Sequence, residues 1–194
     1  MKIFFLGGTF DPPHLGHFSI AKRCLEHKDC DQFVFVPCKQ NPLKDKPYFS
    51  AFNRAFMLEI MYQMSNFRDF KDKVWVDLFE ADSKSRVNYT IDTINYLLQE
   101  YNPSDLYMVI GQDLLKSVES WKDWDKIKEL VKIVCINRPG YKYQTNIDIS
   151  LKFDDISLDI ESTFIRNKIM TKDWESLEEM VPWQVIDYIE RIKQ

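Results

Sequence analysis

The chain begins MKIFFLGGTFDPPHLGHFSIAK (residues 1–22), a hydrophobic run that passes straight into two glycines, two prolines and two histidines three residues apart. Gly7 and Gly8 leave the end of that run without side chains, so a phosphate or nucleotide can come close to the backbone. Pro12 and Pro13 stiffen the turn, and His14 and His17 fall at the entry to an amphipathic stretch. Their i, i+3 spacing puts both rings on one face of a helix whose first amides are free to meet an anion. The whole string reads as a phosphate cradle. Taken alone, GG or HxxH would equally suit a capped strand-to-helix turn with two surface histidines.

A zinc reading of His14 and His17 needs a further ligand. The other histidine of the chain is His27, about 15 Å from His17 along a helix that rises 1.5 Å per residue. No metal ligand is therefore assigned. No GK[ST] follows the glycines and no third glycine completes a GxGxxG, which excludes a Walker A loop and the dinucleotide fingerprint.

Outward from this stretch, short apolar runs alternate with amphipathic ones: KIFFL, LGHFSIAKRCLEH, QFVFVP, SAFNRAFMLEIMYQM, VWVDLF, YTIDTINYLLQEY, DLYMVIG, DLLKSVESW, LVKIVCIN and DISLDI, then two helical stretches. That order predicts an α/β fold, a doubly wound and mostly parallel sheet, formed by one domain over residues 1–194. The Pro-rich segments DPPH, PCKQNPLKDKP and NRPGYKYQ each follow an apolar strand and should gather at one edge of the sheet. In such folds ligands sit at the carboxyl ends of the strands.

Composition narrows the classes. A chain of 194 residues with 45% hydrophobic residues can bury an ordinary core. A formal charge of -4 argues against sequence-independent nucleic-acid binding, so an anion must be met by local positive charge. The longest apolar runs are too short to span a bilayer and the start lacks the pattern of a signal peptide, which predicts a cytoplasmic protein with no membrane partner. Cys24, Cys30, Cys38 and Cys135 form no CxxC pair, so they read as idle or buried thiols. A homo-oligomer is left open.

GGTFDPPHLGH resembles the HxGH signature of the nucleotidylyltransferases, and the whole chain resembles the bacterial nicotinate mononucleotide adenylyltransferases. The likeness runs through NPLK (41–44), Arg54, YTIDT (89–93), IGQD (110–113), Trp121, NRPG (137–140) and IESTFIR (160–166). Two departures stand out: NPLK replaces the family's usual PPHK, and Glu161 replaces the first serine of ISSTxIR.

The resemblance implies a Rossmann-like nucleotidylyltransferase fold. It also implies transfer of AMP from ATP to nicotinate mononucleotide, releasing pyrophosphate, with Mg2+ carried mainly by the ATP phosphates. His14, His17, Arg166 and Lys44 become the catalytic candidates, and Gly8, Thr9, Phe10, Gly111, Asp113, Ser162 and Thr163 the ATP-binding ones. Tyr89, Thr90, Trp121 and Arg138 become the candidates for the acceptor, with Trp121 as the platform for its ring.

The residues allow blander roles beside these. Ser162 or Thr163 can cap a helix with Arg166 one turn in, Thr90 and Asp92 can cap another, and Asp113 can cap LLKSVE. Trp121 and Trp124 can be core residues, and Asp11 reads as a turn residue. Three other functions compete: a nicotinamide mononucleotide acceptor, a phosphopantetheine acceptor, and a nucleotide sensor without turnover. A cytidylyltransferase acting on a polyol phosphate would carry an RTEGISTT-like segment, which is absent.

Overall fold

The computed structural model describes residues 1–40, 46–63, 65–85, 87–137, 146–156 and 160–193. Lys44 and Arg138 lie outside the described residues, as do the rest of NPLK and the RPG of NRPG.

Among the described residues the strands are β1 (Lys2–Gly8), β2 (Gln32–Pro37), β3 (Val74–Val76), β4 (Asp105–Gly111), β5 (Lys132–Ile136) and β6 (Leu151–Phe153). They form one sheet in the order β3-β2-β1-β4-β5-β6, and every pairing is parallel. The helices are α1 (Leu15–Leu25), α2 (Ala51–Tyr62), α3 (Phe79–Asp82), α4 (Thr90–Tyr101), α5 (Trp124–Leu130), α6 (Ser162–Met170) and α7 (Trp183–Lys193). The doubly wound sheet expected from the alternation is therefore present. No helix among the described residues is long and apolar enough to cross a membrane.

The central strands are apolar beyond their first residues because both faces of the sheet are covered. Ile3, Phe5, Val34, Met108 and Ile133 pack on one face with Ile91, Ile94 and Leu97 of α4 and Ile127 of α5. Phe4, Leu6, Phe33, Val109 and Val134 pack on the other with Ala21, Cys24 and Leu25 of α1. The period of two along each strand sorts the side chains between these layers. A third cluster joins Met57 and Met61 of α2 to Ile165 and Ile169 of α6 and Val185 and Ile189 of α7. That cluster seats α6 against the start of the sheet's first crossover.

Three elements depart from the expectation. Of DISLDI (residues 155–160), where a strand is expected, residues 157–159 lie outside the described residues and Asp155, Ile156 and Ile160 are not strand. The edge strand is LKF (residues 151–153), which pairs with β5 through Val134↔Leu151 and Ile136↔Phe153. Phe153 is buried in the sheet layer, whereas Ile160 belongs to the third cluster. VWVDLF is strand only through Val76, because Asp77 Oδ1 accepts the Phe79 amide at 2.8 Å and turns the chain into α3. DLLKSVESW forms two 3-10 turns, Gln112–Lys116 and Val118–Ser120, rather than an α-helix. Ser117 and Ser120 donate back to the carbonyls of Leu114 and Ser117, at 3.1 and 2.7 Å, which competes with α-helical bonding.

Candidate active site

The strand order reverses between β1 and β4, and the crevice at their carboxyl ends is where a doubly wound sheet receives its ligand. The turn after β1 enters α1 there. His14 occupies the N-cap position and is 5% exposed, and His17 stands at the third helical position. Their ring centroids lie 3.7 Å apart. His17 Nδ1 accepts the His14 amide at 3.2 Å, which leaves the proton of a neutral His17 on Nε2, the atom able to donate to a phosphate. Phe10 closes the other side, its ring edge-on to His17 at 4.9 Å.

The two glycines differ in what their missing side chains leave room for. A Cβ at Gly8 would stand 2.9 Å from the Phe10 ring, so Gly8 makes room for Phe10, whose own φ is 52°. Gly7 has open space where a Cβ would point, and so offers the close approach to backbone. The amides of α1 are also partly spent. Leu15 donates to the Met180 carbonyl at 2.9 Å and His17 to the His14 carbonyl at 2.9 Å.

Across the chain, α6 reaches the same turn. Ser162 Oγ donates to the Pro12 carbonyl at 3.0 Å, and Arg166 Nη1 donates to the Asp11 carbonyl at 2.7 Å. Arg166 Nη2 also donates to Thr163 Oγ1 at 2.9 Å. Neither Ser162 nor Thr163 is the cap: Glu161 takes that position, exposed and making no side-chain capping bond, while Ser162 ties the helix to the turn. Two sequence motifs 150 residues apart thus form one anion-receptive corner with His14, His17, the first amides of α6 and Arg166.

Two residues hold this corner from beneath. The Asp11 carboxylate accepts the amides of Tyr48 and Phe49 at 2.8 and 2.9 Å and stands 3.6 Å from Arg166. It does more than turn the chain. Arg54, fully buried on α2, donates to the carbonyls of Phe49 (3.1 Å), Cys38 (2.7 Å), Lys39 (3.1 Å) and Thr9. It therefore joins the ends of β1 and β2 to the entry of α2. Burial pulls its ionisation down from the ordinary arginine value, and the Cys38 thiol and Asp11 carboxylate oppose that. Thr9 Oγ1 accepts from the Cys38 thiol at 3.7 Å.

At the end of β4, Asp113 folds back over Gly111, where a Cβ would collide with its carboxylate. Gly111, not Asp113, precedes the 3-10 turn as its cap. Further along the crevice, Tyr89 caps α4. Asp92 Oδ2 accepts the Tyr89 amide at 3.1 Å, and the Asp92 and Thr93 amides go to the Tyr89 carbonyl. Thr90 and Ile91 keep the amides that have no intrahelical acceptor. Asp92 therefore caps as expected, while Thr90 is the first helical residue. Trp124 is buried in the core and Trp121 is half-buried against it, with its neighbour Lys122 reaching over the Tyr89 ring at 4.4 Å. That contact places the Trp121 segment beside the start of α4. Sequence reading missed Lys122, the anchoring by Asp11, and Glu80, which accepts from Thr93 under the same helix.

A cavity of about 670 Å³ lined by Ser104, Asp105, Lys128 and Lys132 opens at the opposite end of β4 and β5, away from these groups. Among the described residues no cluster of three or more His, Cys, Asp or Glu side chains is placed to hold a metal ion.

A sequence model of the family described as cytidylyltransferase-like matches residues 5–185. The chain belongs to that family. The chain is similar to the nicotinate-nucleotide adenylyltransferase of Bacillus subtilis, 31% identical over 97% of this chain and 95% of that protein. A probable nicotinate-nucleotide adenylyltransferase of Campylobacter jejuni is 34% identical over 100% of this chain and 99% of that one. The fold is similar to that of the Plasmodium falciparum nicotinic acid mononucleotide adenylyltransferase complexed with NaAD. The TM-score there is 0.82, with 21% identity over 98% of this chain and 95% of the other.

Proposed function

We propose that the chain moves AMP from ATP to nicotinate mononucleotide, giving nicotinate adenine dinucleotide and pyrophosphate. The observation that carries this is the corner where Ser162 and Arg166 of α6 close on the Asp11–Pro12 turn beside His14 and His17. The relatives named for this reaction, aligned over nearly the whole chain, support the same reading.

In the reaction a phosphate oxygen of the mononucleotide attacks the α-phosphorus of ATP. The new P–O bond forms as the bond to the β-phosphate oxygen breaks, and the electron pair leaves with pyrophosphate. A phosphate monoester has its second pKa near 6, so the nucleophile is already ionised at neutral pH and needs no strong base. The barrier is repulsion between polyanions and charge building on the departing group, which fixed donors lower. His17 donates from Nε2 to an α- or β-phosphate oxygen, and His14 acts beside it. The α6 amides and Arg166 hold the β- and γ-phosphates, with Ser162 and Thr163 fixing the helix start and the arginine. Lys44 is proposed to join them at the leaving end.

Gly111 and Asp113 at the end of β4 are proposed to receive the ATP ribose, and Gly8, Thr9 and Phe10 to line the cradle. The acceptor ring stacks on Trp121, with its carboxylate on the Thr90 and Ile91 amides beside Tyr89; Arg138 is proposed to complete that site. The Asp11 carboxylate is engaged by two amides, so Mg2+ is proposed to arrive on the ATP phosphates, where it would neutralise charge.

The test is pyrophosphate release from ATP with nicotinate mononucleotide, nicotinamide mononucleotide and phosphopantetheine offered separately. Release driven by the first supports the reading; release driven by phosphopantetheine alone overturns it.

A further inference from the structure

The start of α4 sits above a carboxyl group that no motif of the sequence marks. Thr93, 1% exposed, donates its hydroxyl to Glu80 Oε1 at 2.5 Å, and Glu80, on α3, is 8% exposed. Among the described residues the charged groups acting on Glu80 are Asp92 of α4 and Asp77 at the end of β3, both acids. The other elements packed on α3, the helix α2 and strand β2, bring none. Asp77 is itself engaged, accepting from the Phe79 amide at 2.8 Å and the Tyr101 hydroxyl at 2.5 Å. Among the described residues, therefore, Glu80 is a buried acid with no cation acting on it. As a strut for Thr93, a glutamine amide would serve as well without the cost of burying a charge.

Thr93 lies three residues beyond Thr90, about 4.5 Å along the helix axis. Charge on Glu80 thus appears under the helix end whose open amides and positive dipole attract an anion. We propose that Glu80 is a specificity-determining residue: through Thr93 and the first turn of α4, its protonation state sets how strongly the acceptor site prefers an anionic over a neutral substituent on the pyridine ring. The inference rests on the acceptor assignment proposed above.

Burial, reinforced by Asp92 and Asp77 and opposed by the Thr93 hydroxyl, pushes the Glu80 carboxyl from 4.5 up to about 7. It is neutral in mildly acidic solution, leaving the helix end unopposed. It ionises as pH rises through 7, and the new negative charge then works against a nicotinate carboxylate while sparing a nicotinamide group.

The experiment measures kcat/KM for nicotinate and nicotinamide mononucleotides at pH 6, 7 and 8 in the wild type, Glu80→Gln and Thr93→Val. The two acceptors share one ribose phosphate, so titration of that phosphate and of the histidines cancels in their ratio. The wild-type ratio of acid to amide is expected to fall about three- to tenfold from pH 6 to pH 8. Glu80→Gln is expected to hold the low-pH ratio throughout. Thr93→Val, which removes the bond favouring the ionised form, is expected to shift the fall to higher pH. A flat wild-type ratio, or a Glu80→Gln enzyme that keeps the fall, overturns the inference while leaving the acceptor reading intact. Absence of turnover with both acceptors at every pH overturns both. Should Glu80→Gln fail to fold, the wild-type and Thr93→Val profiles still decide.

Discussion

Arg166 reaches the carbonyl of Asp11 at 2.7 Å while its guanidinium stands 3.6 Å from the Asp11 carboxylate. The contact fixes the arginine at the mouth of the turn before any ligand arrives. Because the carboxylate is shared with the Tyr48 and Phe49 amides, it offsets the arginine's charge only in part. The remainder is available to a phosphate.

Replacing Arg166 by alanine removes a charge-assisted contact worth about 1.5 to 3 kcal/mol. The KM for ATP should rise roughly ten- to hundredfold, with the KM for the mononucleotide much less affected. Steady-state kinetics with each substrate varied in turn checks this, and an unchanged KM for ATP removes Arg166 from the phosphate site.

Asp11→Asn keeps one carbonyl oxygen where two carboxylate oxygens now receive the Tyr48 and Phe49 amides. One nearly buried amide loses its acceptor, which should cost about 1 to 3 kcal/mol of stability. Urea denaturation should show a lower midpoint at an unchanged slope. A midpoint equal to that of the wild type would mean the anchoring is idle.

His17→Ala should lower kcat by about 10²- to 10³-fold, the usual loss of one donor to developing charge, with ATP binding much less changed. Single-turnover rates and equilibrium binding of ATP separate the two effects. Turnover within a factor of a few of the wild type would sink the assignment.

Glu80 makes a prediction about stability as well as specificity. Its carboxyl moves from 4.5 in the unfolded chain to about 7 in the folded one. Below 4.5 both states are protonated and nothing is lost. Between 4.5 and 7 the unfolded state ionises first, so this group's contribution falls as pH rises, by about 3 kcal/mol in all at 1.4 kcal/mol per unit. Glu80→Gln should therefore gain stability relative to the wild type as pH is raised from 4.5 to 8. Denaturation at several pH values tests this, and a constant difference would show that Glu80 is not a buried acid.

Much of this architecture is legible in the sequence. Apolar runs alternating with amphipathic stretches are enough to predict a doubly wound sheet, and the string from Gly7 to His17 singles out the turn between β1 and α1, where the phosphate site is proposed, because glycine, proline and paired histidine have few other reasons to cluster there. Asp11 and Arg54 are harder to read. Their partners are backbone amides and carbonyls at Tyr48, Phe49, Thr9, Cys38 and Lys39, and a backbone group leaves no residue type by which to recognise it. The steric demand at Gly8 is hard to read for a related reason, since the ring that needs its missing Cβ belongs to Phe10, two residues on, in a left-handed conformation. Glu80 and Thr93 meet only because α3 and α4 pack together, and no local pattern announces a long-range buried pair.

The central claim is that AMP passes directly from ATP to a pyridine mononucleotide. The most direct measurement mixes the protein, Mg2+ and ATP with nicotinate mononucleotide, and in parallel with its amide, and quantifies dinucleotide and pyrophosphate together. The account predicts the two products in equal amounts, with kcat/KM at least about tenfold higher for the nicotinate form near pH 6. The margin follows from charge-assisted hydrogen bonds outweighing neutral ones by about 1 to 3 kcal/mol. Pyrophosphate without dinucleotide, or no product from either acceptor, would contradict it.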